Sequence, residues 1–295
     1  MELKKILVGL DLDVSSRQVL ETTAFLSRAF GSRVCLLHVI EGITPQRITE
    51  DFFESVRAAA ELSMKRAAET LDSETAKKTE TIVTHGHAFA AIIKKAREEK
   101  ADLICIGARR KEGLAEVILG GTAQKIVRKA PCPVLVVKGR KPVQFNHILV
   151  PVDFSEPSKQ SLAGAIDFAR SLGSKITVLN VVEPVMLPYG GFAEAYVPPV
   201  MPQKELKTAR SDLKTFLQSI QFRGVPYESK IRRGRVTDTI RRFVKSSQID
   251  LVVMGTHGRT GLPHALLGST TENALRAVRC PLLTIRPEGF RFVMP

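Results

Sequence analysis

The chain has 295 residues, of which 44% are hydrophobic and 25% charged, and its formal net charge is +14. This length suggests about two domains, since one domain typically takes roughly 150 residues. No apolar run approaches the roughly 18 residues that a membrane-spanning helix needs, so we expect no membrane segment. The basic charge would suit nucleic acid, but aromatic residues make up only 6%, there is no tryptophan, and none of the common recognition motifs occurs, which disfavours that class.

The first half of the chain alternates predicted strands and helices. Short apolar runs rich in β-branched residues predict strands, and longer amphipathic stretches predict helices. Five strands joined by four crossover helices imply a parallel sheet that is covered on both faces. In chain order, the predicted elements are strand 6–10, helix 15–30, strand 34–39, a helix near 51–71, strand 80–84, helix 88–98, strand 103–106, a helix near 122–129 and strand 134–137.

The second half repeats this pattern. Asp11, after the first strand, returns as Asp153, 142 positions later, and Gly107, after the fourth strand, returns as Gly255, 148 positions later. The extra residues of the second copy are best placed in the Pro- and Gly-rich segment 183–203. A repeat of this length indicates a duplicated domain, because solenoid repeats have periods of roughly 20 to 50 residues.

The fold class predicted from this repeat is α/β, with two tandem doubly wound, Rossmann-like domains. We expect each domain to hold a five-stranded parallel sheet flanked by helices. The short basic segment 138–142 separates the copies, so the predicted domains are 1–141 and 142–295.

A glycine motif follows the predicted strand 251–254 of the second half. The sequence reads Gly255-Thr-His-Gly258, and nine residues later Gly268-Ser269. Glycine allows the main chain to approach a phosphate closely, because no Cβ stands in the way. Ser269 opens a Ser-Thr-Thr-Glu capping box, which predicts that it caps a helix with its N-terminus towards the phosphate. Each residue alone could simply shape a turn or cap a helix, but the complete spacing predicts a nucleotide site.

These residues resemble the universal stress protein family, and the resemblance covers nearly the whole chain as two tandem copies. The second half matches the G-x-x-G-x9-G-S/T pattern for ATP and the aspartate after the first strand, and residues 132–137 match the closing Cys-Pro-Val-Leu-Val-Val strand. The resemblance implies a fold like that of the adenine nucleotide alpha hydrolases and an ATP-binding, stress-response function. Mg²⁺ is expected only because cellular ATP carries it, and no protein carboxylate can be assigned to it.

The resemblance also implies roles for particular residues. Asp153 would bond the adenine, Pro151 and Val181 would line its pocket, and the glycine loop with Ser269 and Thr270 would hold the ribose and phosphates. The full set of predicted nucleotide-binding residues is Pro151, Val152, Asp153, Val181, Met254, Gly255, Thr256, Gly258, Arg259, Gly268, Ser269 and Thr270.

The first copy departs from the motif at two positions. Arg110 replaces the second glycine, and Gly121 replaces the serine. An arginine side chain can fill the phosphate space or can pair with phosphate, and Gly121 can cap a helix but offers no hydroxyl. We expect the first half to bind ATP weakly or not at all, and to act as a built-in dimer partner, since family members resemble dimers joined through their last strands. Whether the tandem chain pairs again is left open.

Catalysis has weaker support in the sequence. No G-x-x-x-x-G-K-[ST] motif supplies a phosphate-binding lysine. His257 and His264 lie inside the glycine loop and could carry protons, although simple exposure to solvent is the plainer interpretation. We therefore expect a nucleotide-gated binding protein with at most slow ATP hydrolysis. Arg232, Arg233 and Arg235 could attract a polyphosphate or could form a solvated face.

Two other classes of function remain as alternatives. A nucleotide-free scaffold could bind a protein partner through the apolar segment 183–203, which could equally cover the second-half site as a lid. A basic nucleic-acid-binding protein is the less favoured alternative.

Further sequence signals concern metals and location. His85 and His87 lack the cysteine or carboxylate partners of a zinc site. The N-terminus carries no signal-peptide pattern, so we expect a cytoplasmic protein. No C-x-x-C pairing occurs, and the cysteines are predicted to be small buried residues in a reducing compartment: Cys35, Cys105, Cys132 and Cys280.

Overall fold

The computed structural model describes residues 2–13, 16–42, 49–108, 120–139, 144–184, 203–256 and 267–286. Within these residues the chain forms one mixed sheet with helices on both faces. The strands are β1 Lys5–Gly9, β2 Arg33–Ile40, β3 Thr79–His85, β4 Leu103–Gly107, β5 Val134–Val137, β6 His147–Val152, β7 Lys175–Val182, β8 Tyr227–Arg233, β9 Leu251–Gly255 and β10 Leu282–Ile285. The helices are α1 Ser16–Phe30, α2 Glu50–Glu69, α3 Ser73–Lys77, α4 Ala88–Glu98, α5 Gly121–Lys129, α6 Glu156–Leu172, α7 Gln203–Gln218, α8 Val236–Ser246 and α9 Ser269–Ala277.

The sheet order is β3-β2-β1-β4-β5-β10-β9-β6-β7-β8. All strand pairs within one half are parallel, and the order reverses between the first and the fourth strand of each half. This is the doubly wound arrangement, and it confirms the α/β fold class expected from the alternating pattern. The strands of the first half begin and end within one residue of the predicted positions.

The two halves join through their last strands. β5 and β10 are antiparallel, and Leu283 lies opposite Leu135 in their ladder. Both leucines are fully buried. The hydroxyl of Thr284 adds a bond to the carbonyl of Val134 across this seam, with an O–O distance of 3.2 Å. The sheet is therefore continuous through both halves, and one half is inverted relative to the other.

An aromatic cluster also connects the halves. Phe25 and Phe30 lie on α1 of the first half, Phe168 lies on α6 of the second, and Phe145 lies just before β6. Phe168 has ring centroids of Phe30 and Phe145 at 5.4 and 6.0 Å, and Phe25 meets Phe145 edge-on at 5.7 Å. Phe168 and Phe145 are among the largest fully buried side chains. This cluster packs α1 against α6 on one face of the sheet.

A repeated aspartate ties the fourth strand of each half to the first. Asp102 precedes β4, and Asp250 occupies the equivalent position before β9. One carboxylate oxygen of each aspartate accepts two backbone N–H groups at the start of the first strand of its half. These bonds satisfy donors that lie at the beginning of the strand. The donors are Lys4 and Lys5 for Asp102, and Asn146 and His147 for Asp250.

The helix predicted near 51–71 corresponds to α2 within two residues at each end, and the short helix α3 follows it. Asp72 is the N-cap of α3, and its Oδ1 accepts the Thr75 N–H at 3.1 Å. Asp72 also binds Arg28 of α1, with an N–O distance of 2.6 Å. Asp72 thus begins a short helix that the sequence analysis does not predict.

The cysteines are free thiols, and burial raises the pKa of each to about 12. Cys35 and Cys105 are fully buried as predicted, whereas Cys132 and Cys280 are half-buried. High thiol pKa values keep the reactive thiolate scarce at neutral pH.

His147 makes the stability of the second half depend on pH. Its Nε2 lies 2.8 Å from Thr177 Oγ1, and that hydroxyl donates to Glu228 at 2.9 Å. Burial, and then the charge of Lys175, lower the pKa of His147 below its ordinary value of 6.5. The folded state thus binds fewer protons than the unfolded state, so this contribution to stability is present above pH 6.5 and is lost as the pH falls.

We therefore expect the urea midpoint to fall between pH 7.5 and 5.5 by more in the wild type than in His147→Gln, which does not titrate. Urea unfolding at both pH values measures this difference. Equal falls in the two proteins would contradict the assignment.

Candidate functional site

The hydrogen-bonded ladder between β6 and β9 of the second half is shorter than its equivalent in the first half. In the first half the equivalent ladder between β1 and β4 continues through Gly9 and Ile106, but the ladder between β6 and β9 ends at Leu149 and Val252. Pro151 stands 142 positions after Gly9 and has no N–H to contribute to a ladder. The space beyond the ends of β6 and β9, at the reversal of strand order, is called here the second-half crevice.

Apolar side chains pack closely around the end of β1 in the first half. A Cβ added to Gly9 would lie only 2.8 Å from Ile92 Cδ1 and 3.2 Å from Ile106 Cγ2. Ile92 and Ile106 are buried, and so are Ile240 and Met254, which stand 148 positions later in the second half. The two copies therefore share this apolar packing, and they differ in the residue that ends the ladder, Gly9 or Pro151, and in the glycine motif.

Asp153 is fixed at the mouth of the second-half crevice by a tight turn. Its Oδ1 accepts the N–H of Ser155 at 3.1 Å and the Ser155 hydroxyl at 2.5 Å. Ser155 is in turn the N-cap of α6 and accepts the Ser158 N–H. Phe154, between them, has φ = 67°, and the equivalent Leu12 of the first half has φ = 59°. The repeated turn holds the Asp153 carboxylate in a defined orientation beside the sheet edge.

Asn180 is a site-forming residue that the sequence reasoning missed. Its side-chain amide is buried and donates to the Val152 carbonyl at 2.9 Å, which fixes the end of β6 against β7. His38 occupies the equivalent position in the first half, with Nδ1 2.8 Å from the Leu10 carbonyl oxygen. The spacing of 142 residues between His38 and Asn180 is the signal that could have identified this pair. Val181 follows Asn180 on β7, beside Asp153.

The N-terminus of α9 is docked on the end of β9. The N–H of Gly268 donates to the Thr256 carbonyl at 2.8 Å, and the hydroxyl of Thr271 donates to the Gly255 carbonyl at 2.7 Å. These bonds bring Gly255 and Gly268 together, as the glycine motif predicts, although ten residues between Thr256 and Leu267 lie outside the described part.

The predicted capping role of Ser269 was wrong. Gly268 is the N-cap and Ser269 is the first helical residue, so the Ser269 hydroxyl does not occupy the capping position. The bond from Gly268 to Thr256 fixes the start of the helix one residue earlier than the capping box suggests. Gly121 likewise is the first residue of α5, and Gly120 is the N-cap, without a side-chain cap. Among the described residues, no side chain at the N-cap position of α9 occupies its first N–H groups, so these groups can face an anion.

The described site residues occupy three neighbouring positions along the carboxyl edge of the second half. Since adjacent strands are roughly 4.8 Å apart, these groups lie within the reach of one nucleotide. Met254 and Thr256 are buried, so they contribute mainly to the floor of the crevice. Gly258 and Arg259 lie outside the described residues, as do Arg110, His257, His264 and residues 185–202. The three groups are Pro151, Val152 and Asp153 after β6, Val181 on β7, and Met254, Gly255, Thr256, Gly268, Ser269 and Thr270 around β9 and α9.

The three arginines near the end of β8 do not act as one cluster. Arg235 is the N-cap of α8 and lines the same cavity as Ser269 and Thr270. Arg232 instead lies over the Phe243 ring at 5.6 Å and lines a separate cavity of about 550 Å³ between α7 and β8. A carboxylate oxygen of Glu183 accepts the Val236 N–H at 2.9 Å, so acidic charge covers the start of α8. Arg235 is therefore the member of this group best placed to approach a phosphate.

The described residues contain no group of three or more His, Cys, Asp and Glu side chains suited to holding a metal ion. His85 ends β3 and meets the Phe53 ring edge-on at 5.4 Å, while His87 is the N-cap of α4 and stacks on Phe89. Each imidazole thus has an aromatic neighbour. The same part of the chain has no helix both long and apolar enough to cross a bilayer.

Comparisons with known proteins agree with this architecture. A universal stress protein of Mycolicibacterium smegmatis is 25% identical, over 96% of this chain and 97% of its own length. A universal stress protein of Mycobacterium tuberculosis is 30% identical, over 63% of this chain and 62% of its own length. The chain thus spans nearly the whole of the first relative and less than two thirds of the second.

Solved structures show the same fold. A universal stress protein from Archaeoglobus fulgidus matches over 96% of both chains, with a TM-score of 0.69 and 19% identity. A putative universal stress protein from Pseudomonas aeruginosa matches over 97% of this chain and 94% of its own, with a TM-score of 0.69 and 21% identity. The model of the universal stress protein family matches twice, at residues 2–138 and 144–286. The chain therefore belongs to the universal stress protein family, with two tandem copies of its domain.

Proposed function

We propose that this protein is an ATP-binding regulatory protein of the cytoplasmic stress response, in which the second half binds the nucleotide. The observation that carries the proposal is the N-terminus of α9, which is docked on the end of β9 beside the carboxyl ends of β6 and β7, where the strand order reverses. A helix N-terminus without a side-chain cap favours an anion, because its free N–H groups and the positive end of the helix dipole point outward. The proposed domains are 1–141 and 142–295.

Each part of the crevice suits one part of ATP. The apolar surfaces of Pro151 and Val181 would contact the adenine, and the fixed carboxylate of Asp153 would accept its amino group. The first turn of α9, with the hydroxyls of Ser269 and Thr270, would hold the ribose and phosphates. Arg235, which lines one cavity with Ser269 and Thr270, would add positive charge near the phosphates.

The first half is proposed to act mainly as a pseudo-dimer partner. In the first half Arg110 replaces the second glycine of the motif, and Gly121 lacks the hydroxyl that Ser269 provides. Mg²⁺ would arrive with ATP and would screen the phosphate charge. Among the described residues no side chain is placed as a general base, so we propose at most slow hydrolysis.

The number of nucleotides in each chain tests this proposal. We expect denaturation of the purified protein to release about one ATP per chain, measured by mass spectrometry, and titration calorimetry on the emptied protein to show one site. Two nucleotides would contradict the passive role of the first half. If no nucleotide is released and none binds at millimolar ATP, the proposal fails, and a scaffold for a protein partner becomes the better interpretation.

A further inference from the structure

A lysine of the first half binds the C-terminal carbonyls of α9, the helix that carries the proposed phosphate site. Lys138 follows β5, and its ammonium group donates to the carbonyls of Leu275 and Val278, the second at 3.3 Å. Leu275 lies in the last turn of α9, and Val278 is its C-cap. Lys138 is only 4% exposed, so this contact is inside the protein. A cation at this position satisfies terminal carbonyls and interacts favourably with the negative end of the helix dipole.

Arg286 makes the reciprocal contact. It lies 148 positions after Lys138, directly after β10, and donates to the Arg128 carbonyl at 2.5 Å. Arg128 is in the last turn of α5, in the first half. Burial lowers the pKa of Lys138 to about 8 and that of Arg286 to about 10, so both side chains remain largely protonated at neutral pH. Each half therefore supplies a cation to the last helix of the other.

Helix α9 is short and packed along its length, so a contact at its C-terminus can influence the position of its N-terminus. Its nine residues span roughly 13 Å at 1.5 Å per residue. Ala274 and Leu275 are fully buried, so the middle of the helix is packed against the core. At the other end, the bonds of Gly268 and Thr271 place the N-terminus on β9. Lys138 and the crevice thus contact opposite ends of one packed helix.

We propose that Lys138 is a positioning residue for the nucleotide site of the opposite half, so that the first half completes a site it does not itself contain. This proposal rests on ATP binding in the second half. Without the ammonium group, the carbonyls of Leu275 and Val278 lose a partner in a buried place, and α9 is less firmly held along its axis. The N–H groups that face the phosphates then lose their fixed position. By linkage, bound ATP strengthens the contact between the halves by the same factor.

Matched substitutions at Lys138 and Arg286 test this proposal. We expect Lys138→Met to weaken ATP binding about five-fold, the lower range for coupling between sites, as measured by titration calorimetry. Arg286→Met removes the equivalent cation, the one that contacts the C-terminus of α5. This variant is expected to have a lower thermal midpoint and an unchanged ATP dissociation constant. Lys138→Arg is expected to bind ATP with wild-type affinity, since arginine keeps the positive charge at this position. Lys138→Gln, which keeps a donor and lacks the charge, is the second variant if Lys138→Met does not fold, and it is expected to weaken binding less.

Hydrogen exchange provides a readout that does not depend on ATP. We expect Lys138→Met to increase exchange in 269–277 and Arg286→Met to increase it in 121–129. An unchanged dissociation constant in Lys138→Met, or an equal loss in Arg286→Met, would overturn the positioning role while leaving the proposed function in place. Failure of the wild type to bind ATP would instead overturn the proposed function, and this inference with it.

Discussion

We expect that replacing Gly258 with arginine and Ser269 with alanine lowers the affinity of the second half for ATP on the order of 100-fold, which corresponds to about 2.8 kcal/mol of binding energy. The first change copies Arg110 of the first half, and the second removes the hydroxyl that Gly121 also lacks. Alanine removes the hydroxyl of the first residue of α9, and arginine adds a long side chain where the glycine motif needs free backbone. The ATP dissociation constant from titration calorimetry measures the effect, and circular dichroism with thermal melting monitors the fold.

The matched control for this variant is Gly121→Ser. Gly121 occupies the first position of α5, as Ser269 does in α9. We expect it to leave the second-half affinity unchanged, because α5 lies on the other side of the seam between β5 and β10. A folded double variant that binds ATP as tightly as the wild type would show that the crevice does not hold the phosphates.

The largest loss of stability is expected from Phe168→Ala. Phe168 is fully buried and packs between Phe30 of the first half and Phe145, so its removal leaves a cavity between α1 and α6. Replacement of a buried phenylalanine by alanine typically costs about 3–5 kcal/mol. Urea unfolding followed by circular dichroism measures this change.

Two variants separate the cavity from other effects of the Phe168 change. Phe168→Leu fills part of the space and is expected to cost less. Phe52→Ala removes a ring that is 54% exposed, and its effect should stay within about 0.5 kcal/mol. If Phe168→Ala and Phe52→Ala shift the urea midpoint equally, the cluster does not stabilise the contact between the halves.

The sequence predicts the α/β architecture well because its signals are local. Continuous apolar runs such as those of β4 and β9 are typical of strands covered on both faces, and the amphipathic stretches between them match the helices. The internal repeat then indicates two copies of the same fold. Helix ends are harder, because tertiary bonds decide them. Asp72 begins a new helix, and the bond from Gly268 to Thr256 moves the start of α9.

The less predictable parts of the site depend on residues far apart in the chain. The glycine motif identifies the end of β9, but the early end of the ladder between β6 and β9 follows from pairing that a single strand does not reveal. Asn180 looks like an ordinary strand residue until its amide is seen on the Val152 carbonyl. Lys138 reads as part of a basic linker, and only the antiparallel seam brings it to α9.

That seam also determines which way the two copies face. Because β5 and β10 run in opposite directions, the carboxyl ends of the first-half strands lie along the same border of the sheet as the amino ends of the second-half strands. The two crevices consequently open towards opposite poles of the molecule. Under the proposed function, bound nucleotide would change the surface at the second-half pole only. Loss of one motif after gene duplication would thus leave a molecule that responds to nucleotide at one pole and not at the other.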